Sequence, residues 1–238
     1  QAKDFFRPNL NQLHDPFLMK DMDIAVSRIV SAIENKESIM VYGDYDVDGT
    51  TAVALLTSYL KETGGIVSTY IPDRISEGYG ISLKAIDTAS NNNQGLIIAL
   101  DCGIKANAQV AYASSKGIDF IICDHHNPSK LIPDALAILN PKRSDCNYPF
   151  KDLCGCGVGF KLIQAINLKK GFDIDRIVNY LDLVSLAIAA DIVPLVAENR
   201  TLAHIGMQII NSNPRMGLHC ILKNNVKKEF NIGDLMFY

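Results

Sequence analysis

Three aspartates stand at alternate positions in the stretch GDYDVDGTT: Asp44, Asp46 and Asp48. Carboxylates this close raise one another's pKa and cost stability unless something positive lies between them. A hard divalent cation is the simplest such partner. Capping and pairing with a helix dipole explain Asp48 well and Asp46 poorly. More polar groups close apolar runs further on: Asp101 after GLIIAL, Asp124, His125 and His126 after DFIIC, and Asp191 after an apolar helix from Tyr180 to Ala190. Burying an unpaired carboxylate is costly, so an acid that ends so apolar a helix is expected to cap, pair or ligate metal. Gly155, Gly157 and Gly159 in GCGVGFKL have the form of a Gly-rich helix entrance, whose free N–H groups can bind an anion; the alternative is close packing of a helix on a sheet. The loop PDRISEGYG, with Arg74, is either a plain turn or a substrate-binding loop.

These residues need a scaffold that brings them together. Ile39 to Tyr42, Ile66 to Ile71, Gly95 to Asp101, Asp119 to Cys123 and Ala135 to Leu139 are short apolar runs that predict strands. Helical spacing falls between them, over Thr50 to Leu60, from Ser82 to Ala89 and from about Lys105 to Lys116, while Ile24, Ile29, Val30 and Ile33 mark a helix before the first strand. A last helix is expected from about Glu198 to Asn211. Alternating strand and helix predicts an α/β fold: an open, mainly parallel, Rossmann-like sheet with helices on both faces. Ligands bind such sheets at the carboxyl ends of the strands, where Asp44, Asp46, Asp48, Asp101, Asp124, His125 and His126 would converge.

With 238 residues, 48% hydrophobic and 21% charged, the chain can bury a sizeable core. No stretch has the length of a membrane span and no signal peptide opens the chain, so a soluble, cytoplasmic protein is expected. The six cysteines are irregularly spaced, and several lie in apolar runs, which predicts reduced buried thiols; Cys154 and Cys156 form CGC rather than the CxxC of zinc sites. A net charge of −3 argues against a broad basic face. Any nucleic-acid contact would be a local groove or lie on another domain.

Together these stretches resemble the DHH phosphoesterase family. GDYDVDGTT, LDCGI, CDHH and AADIVPL are similar to its four ordered motifs. The arm LHDPFLMKDMDIAVSRI, the loop RISEGYG, NPKRSDCNYPF and GCGVGFKL are similar to its RecJ-type branch of single-strand-specific 5′→3′ exonucleases. The resemblance implies a centre of two ions, Mn²⁺ or Mg²⁺. Asp46 would ligate one ion and Asp48 the other, Asp101 would bridge them, and His125 and Asp191 would complete the second site. Asp44 would join the first ion. Asp124 would orient a neighbouring ligand, and His126 would face the scissile phosphate, with Arg74 and the amides of Gly155, Gly157 and Gly159 as further phosphate donors. Pyrophosphate-hydrolysing members carry His where this chain has Tyr42, a departure that fits the RecJ branch.

The same resemblance implies catalysis by Asp101, Asp124, His126 and Arg74 on single-stranded DNA in recombination and repair, with replication or repair proteins as partners and no membrane. It divides the chain into an N-terminal arm, 1–20, anchored by Phe5, Phe6, Pro8, Pro16 and Phe17, a DHH catalytic domain, 21–212, and 213–238, the start of a connection to a second (DHHA1) domain. Gln at position 1 is read as a trimmed start. Two other functions compete: a phosphodiesterase of the family acting on small molecules or short oligonucleotides, and a metal-bound scaffold that binds nucleic acid or a partner without catalysis.

Overall fold

The apolar runs do form strands. In a computed structural model, which describes residues 6–223, 227 and 229–236, β1 (Ser38–Gly43), β2 (Ile66–Tyr70), β3 (Leu96–Leu100), β4 (Asp119–Cys123) and β5 (Ala137–Leu139) make one five-stranded sheet in the order β2-β1-β3-β4-β5. Every neighbouring pair is parallel, so the sheet is wholly rather than mainly parallel. Side chains alternate between its two faces. Ile39, Val41, Leu96, Ile98, Leu100, Ile121 and Cys123 enter one core with helices α1 (Met22–Glu34), α2 (Val47–Glu62), α5 (Gly155–Lys169) and α6 (Leu181–Ala190). Met40, Tyr42, Ile97, Ala99, Phe120 and Ile122 enter a second core under α3 (Leu83–Asn91) and α4 (Asn107–Ser115). β1, β3, β4 and β5 are buried on both faces and so read as continuous apolar runs, whereas the edge strand β2 is only partly covered.

The chain leaves β1 toward β2 on one side, while β3, β4 and β5 run out on the other. The order therefore reverses between β1 and β3, and such a switch point opens a crevice at the carboxyl ends of the strands. Asp44, Asp101 and Asp124 each follow directly on β1, β3 or β4.

Of the anchors expected in the arm Pro16 is buried, while Phe6 is 76% exposed and Phe17 39% exposed; Met19 is buried too, and Leu10 and Leu13 pack against the core. Phe5 lies outside the described residues. At the other end α7 (Ala197–Ser212) is followed by α8 (Met216–Leu222) and α9 (Ile232–Leu235). Leu218, Leu222 and Leu235 pack on Ala189 and Ile210. Phe237 and Tyr238 are outside the described residues. The cysteines are free, five buried and Cys220 exposed. No helix among the described residues is long and apolar enough to cross a membrane.

Candidate metal centre

The Asp-rich turn is shaped by one glycine. A Cβ on Gly49 would stand 2.5 Å from the Asp44 carbonyl oxygen and 2.6 Å from its nitrogen, so only glycine lets α2 start this close to the strand end. Asp46 is the N-cap and accepts from the Gly49 N–H at 2.8 Å. Asp48 is not the cap. Its carboxylate accepts from Gly155 N at 2.6 Å and Cys156 N at 2.7 Å. The glycine-rich stretch thus binds an anion, but the anion is Asp48. Gly157 N donates to Cys154 Sγ at 3.3 Å, and Gly159 sits inside α5 against Leu100. Expecting Gly155, Gly157 and Gly159 to cradle phosphate is corrected accordingly: α5 begins at Gly155, all three are buried, and the first two amides of the helix are taken by a carboxylate.

Asp101 turns out of β3 with φ 59°, a left-handed conformation that Asp and Asn tolerate better than other side chains. Its N–H donates to Cys123 O at 2.8 Å. A Cβ on Gly155 would meet Asp101 Cβ at 2.5 Å and Cα at 2.8 Å. Gly155→Ala is therefore expected to displace Asp101 and destabilise the fold by about 1–3 kcal/mol, the usual cost of overpacking; chemical denaturation measures it, and an unchanged midpoint would contradict the packing.

Three carboxylates gather round His125 Nε2: Asp101 Oδ1 at 3.1 Å, Asp48 Oδ2 at 3.7 Å and Asp191 Oδ2 at 3.7 Å. Asp191 is the C-cap of α6, and its side chain is 32% exposed rather than buried, because Ile192, at φ 54°, turns the chain away from the helix axis. Ligand atoms of Asp48, His125 and Asp191 lie within 4.8 Å of one another, as do those of Asp44, Asp46 and Asp101 and those of Asp101, His125 and His126. Asp101 belongs to two of these sets, and its 3.1 Å approach to His125 links it to the third, which holds Asp48 and Asp191.

Burial, followed by neighbouring carboxylates, pushes the pKa of Asp101 far up; burial also raises Asp48 and Asp44. Burial lowers His125 to about 4, so at neutral pH the imidazole is uncharged and removes none of the negative charge around it. Oδ1 of Asp44 and Oδ1 of Asp101 are buried and make no hydrogen bond among the described residues. Buried carboxylate oxygens without donors, beside a neutral imidazole, fit hard divalent cations, and the O/N donor set without cysteine suits Mn²⁺ or Mg²⁺ over zinc.

Asp124 and His126 form a separate unit. Asp124 Oδ1 accepts from the backbone N–H of His125 and of His126 and faces His126 Nδ1 at 2.7 Å, while Oδ2 accepts from Ile104 N. The acid therefore fixes the His126 ring directly, and the His125 ring not at all. This hydrogen bond raises the pKa of His126. Tyr79 Oη lies 3.3 Å from His126 Nε2, and Asn140 Nδ2 donates to His126 O at 2.9 Å. Arg74 is exposed and lies over the Tyr45 ring at 5.2 Å. Tyr42 does not replace a ligand; its hydroxyl donates to Gly80 O at 2.6 Å. Sequence reasoning passed over Tyr79, Asn140 and Lys142, whose charge acts on both His125 and Asp191. Their signals lie in the second half of RISEGYG and in the NPK of NPKRS. A groove of 760 Å³ between α7 and residues 229–232 holds none of these acids.

Known proteins share this fold. The chain is 40% identical over 222 residues to the single-stranded-DNA-specific exonuclease RecJ of Bacillus subtilis, covering 93% of this chain and 28% of that protein. It is 35% identical to the Escherichia coli RecJ, covering 92% of this chain and 40% of the relative. Among solved structures, exonuclease RecJ bound to manganese superposes with a TM-score of 0.84 at 28% identity, over 96% of this chain and 57% of that one. RecJ of Thermus thermophilus in complex with Mn²⁺ gives 0.82 at 26% identity, over 100% and 33%. The chain spans less than half the length of these two curated relatives. The model of the DHH family's N-terminal domain matches residues 38–188, which include Asp44, Asp46, Asp48, Asp101 and the Asp124-His125-His126 triplet, and the chain belongs to the DHH family.

Proposed function

We propose that this chain carries the metal centre of a phosphodiester hydrolase acting 5′→3′ on single-stranded DNA in recombination and repair, in the cytoplasm and alongside replication or repair proteins. The convergence of Asp44, Asp46, Asp48, Asp101, His125 and Asp191 from four separate segments, with buried carboxylate oxygens left without donors, carries this reading. Asp44, Asp46 and Asp101 would hold one ion, Asp48, Asp101, His125 and Asp191 the other. When bound, such ions supply Lewis acidity toward the phosphate and activate water for in-line displacement.

The remaining steps belong to the side chains. The α5 amides hold Asp48 so that its oxygens point at His125. Asp124 keeps the proton on His126 Nδ1, and the raised pKa favours the cation, which presents an Nε2–H donor to a phosphoryl oxygen. Arg74, over the Tyr45 ring, offers a second donor. Asp124→Asn is expected to lower turnover about 10–100-fold, the usual cost of losing a partner that orients a functional ring, with little change in Mn²⁺ affinity. Steady-state kinetics beside a Mn²⁺ titration separates these, and an equal loss of both would show that Asp124 serves the ions instead.

Titrating Mn²⁺ into the chain and following degradation of a 5′-labelled single strand with and without chelator tests the whole reading. Metal-dependent shortening of the strand is the expected result. Cleavage of dinucleotides alone would favour a small phosphodiesterase, and metal binding without cleavage a scaffold.

A further inference from the structure

We propose that Glu77 and Tyr42 are positioning residues, a bracket that fixes the 72–80 loop and so sets where Arg74 and Tyr79 stand beside the acid cluster; the proposal rests on reading that cluster as a nuclease centre. The loop joins β2 to α3 and buries little. Ile75 is 95% exposed and Tyr79 60% exposed, and Tyr79 is flanked by Gly78 and Gly80, both at positive φ. A segment with so few apolar contacts has little intrinsic reason to hold one shape. Yet its two outward groups lie against the site, Tyr79 Oη 3.3 Å from His126 Nε2 and Arg74 over Tyr45.

What holds the loop is polar and lies at its base. Glu77, with a side chain only 8% exposed, accepts at Oε2 from Tyr70 Oη and from Ser82 Oγ, each at 2.7 Å, and at Oε1 from Asp73 N at 3.2 Å. One carboxylate thus ties together the end of β2, the N-cap of α3 and the loop itself. Hydrogen bonds to an ionised acceptor are about twice as strong as neutral ones. Tyr42 reaches the same place from β1: its ring stacks on Tyr70 at 5.7 Å, its hydroxyl donates to Gly80 O, and Ser82 N donates to that hydroxyl at 3.3 Å. The loop is therefore pinned at Glu77 and Gly80, immediately on either side of Gly78 and Tyr79. Neither Glu77 nor Tyr42 belongs to any of the acid and imidazole groups, so each acts through the residues it places.

The test uses the full chain with Mn²⁺ and the variants Glu77→Ala, Glu77→Gln and Tyr42→Phe. Two readouts are followed: the rate at which trypsin cuts after Arg74, and kcat and KM on a single-stranded oligonucleotide against bis(p-nitrophenyl) phosphate, which offers a phosphodiester without a flanking strand. For Glu77→Ala we expect tryptic cleavage to quicken about tenfold and oligonucleotide kcat/KM to fall about tenfold or more, as a displaced binding group would cause. Hydrolysis of the small diester, which has the scissile phosphate but no flanking strand to be positioned, should fall less than that of the oligonucleotide. Glu77→Gln, which keeps an acceptor oxygen, should recover most of both effects, and Tyr42→Phe should shift them in the same direction. Unchanged tryptic protection in Glu77→Ala overturns the proposal, as does a loosened loop with unchanged oligonucleotide kinetics. A wild-type chain that hydrolyses neither substrate sinks the nuclease reading instead, and trypsin then still decides whether Glu77 holds the loop.

Discussion

Replacing Asp101 by Asn is expected to lower hydrolysis of a single-stranded oligonucleotide by about a thousandfold while leaving the metal-free fold intact. Asp101 groups with Asp44 and Asp46 and also lies 3.1 Å from His125, the imidazole of the Asp48 and Asp191 group, so under the two-ion reading its loss weakens both positions at once. Several kcal/mol of charge stabilisation are at stake in such a centre, and about 4 kcal/mol corresponds to a factor of 10³. Asn is the cleaner substitution because it tolerates the φ of 59° that Asp101 adopts, whereas Ala adds strain of about 1–3 kcal/mol. Stability should respond in opposite ways with and without metal. The empty cluster holds mutually repelling, desolvated carboxylates, so the metal-free variant should unfold at the wild-type temperature or above it. At a hundredfold excess of Mn²⁺ over its dissociation constant the wild type should gain about 2.7 kcal/mol, and Asp101→Asn little of it. Thermal unfolding with and without Mn²⁺, run beside the hydrolysis assay, checks both halves. Wild-type-like turnover, or an undiminished gain on adding Mn²⁺, would remove Asp101 from the centre.

Much of the site could be read before the fold was known, for a physical reason. Strands buried on both faces must be apolar throughout, so a polar residue directly after such a run stands out, as Asp44, Asp101 and Asp124 do. Parallel topology then sends all strand ends to one rim. What could not be read depends on contacts between distant segments. Which aspartate caps α2 is decided by Asp48 having a better donor pair, and that pair lies 107 and 108 residues away. The same pairing removes Gly155 from any phosphate site. Of the residues expected to anchor the arm Pro16 is buried but Phe6 and Phe17 are exposed, and Met19, Leu10 and Leu13 do the rest of the packing, because hydrophobicity alone does not say which side of an irregular segment faces the core. The exposure of Asp191 follows from a positive φ at Ile192, which a β-branched residue gives no reason to expect.

The buried pair Lys161 and Glu198 went unnoticed too, and its disruption is expected to give the largest change in stability. Both side chains are 0% exposed and their charges are 3.1 Å apart. Glu198 also accepts from Tyr148 Oη at 2.6 Å and His14 N at 3.0 Å, and Lys161 donates to His14 O at 2.7 Å, so the pair joins α5, α7, the Tyr148 loop and the N-terminal arm. A buried ion pair is weak evidence of net stabilisation, but removing one partner leaves an uncompensated charge and costs about 3–5 kcal/mol. Glu198→Gln should therefore lower the unfolding temperature by roughly 6–20 °C at neutral pH, given about 2–4 °C per kcal/mol for a chain of this size. The pH dependence identifies the cause. Burial already holds the Lys161 pKa below its ordinary 10.5, opposed by Glu198, and without the acid it should fall further. Between that lowered value and 10.5 the unfolded chain binds more protons than the folded one, so stability rises with pH across this window. The deficit of Glu198→Gln should consequently shrink as the pH is raised from 7 toward 10, as Lys161 becomes neutral in the folded state. Denaturant midpoints for the two proteins over that range measure it, and a deficit that stays constant would mean that the lost hydrogen bonds to Tyr148 and His14, not the stranded ammonium, carry the cost.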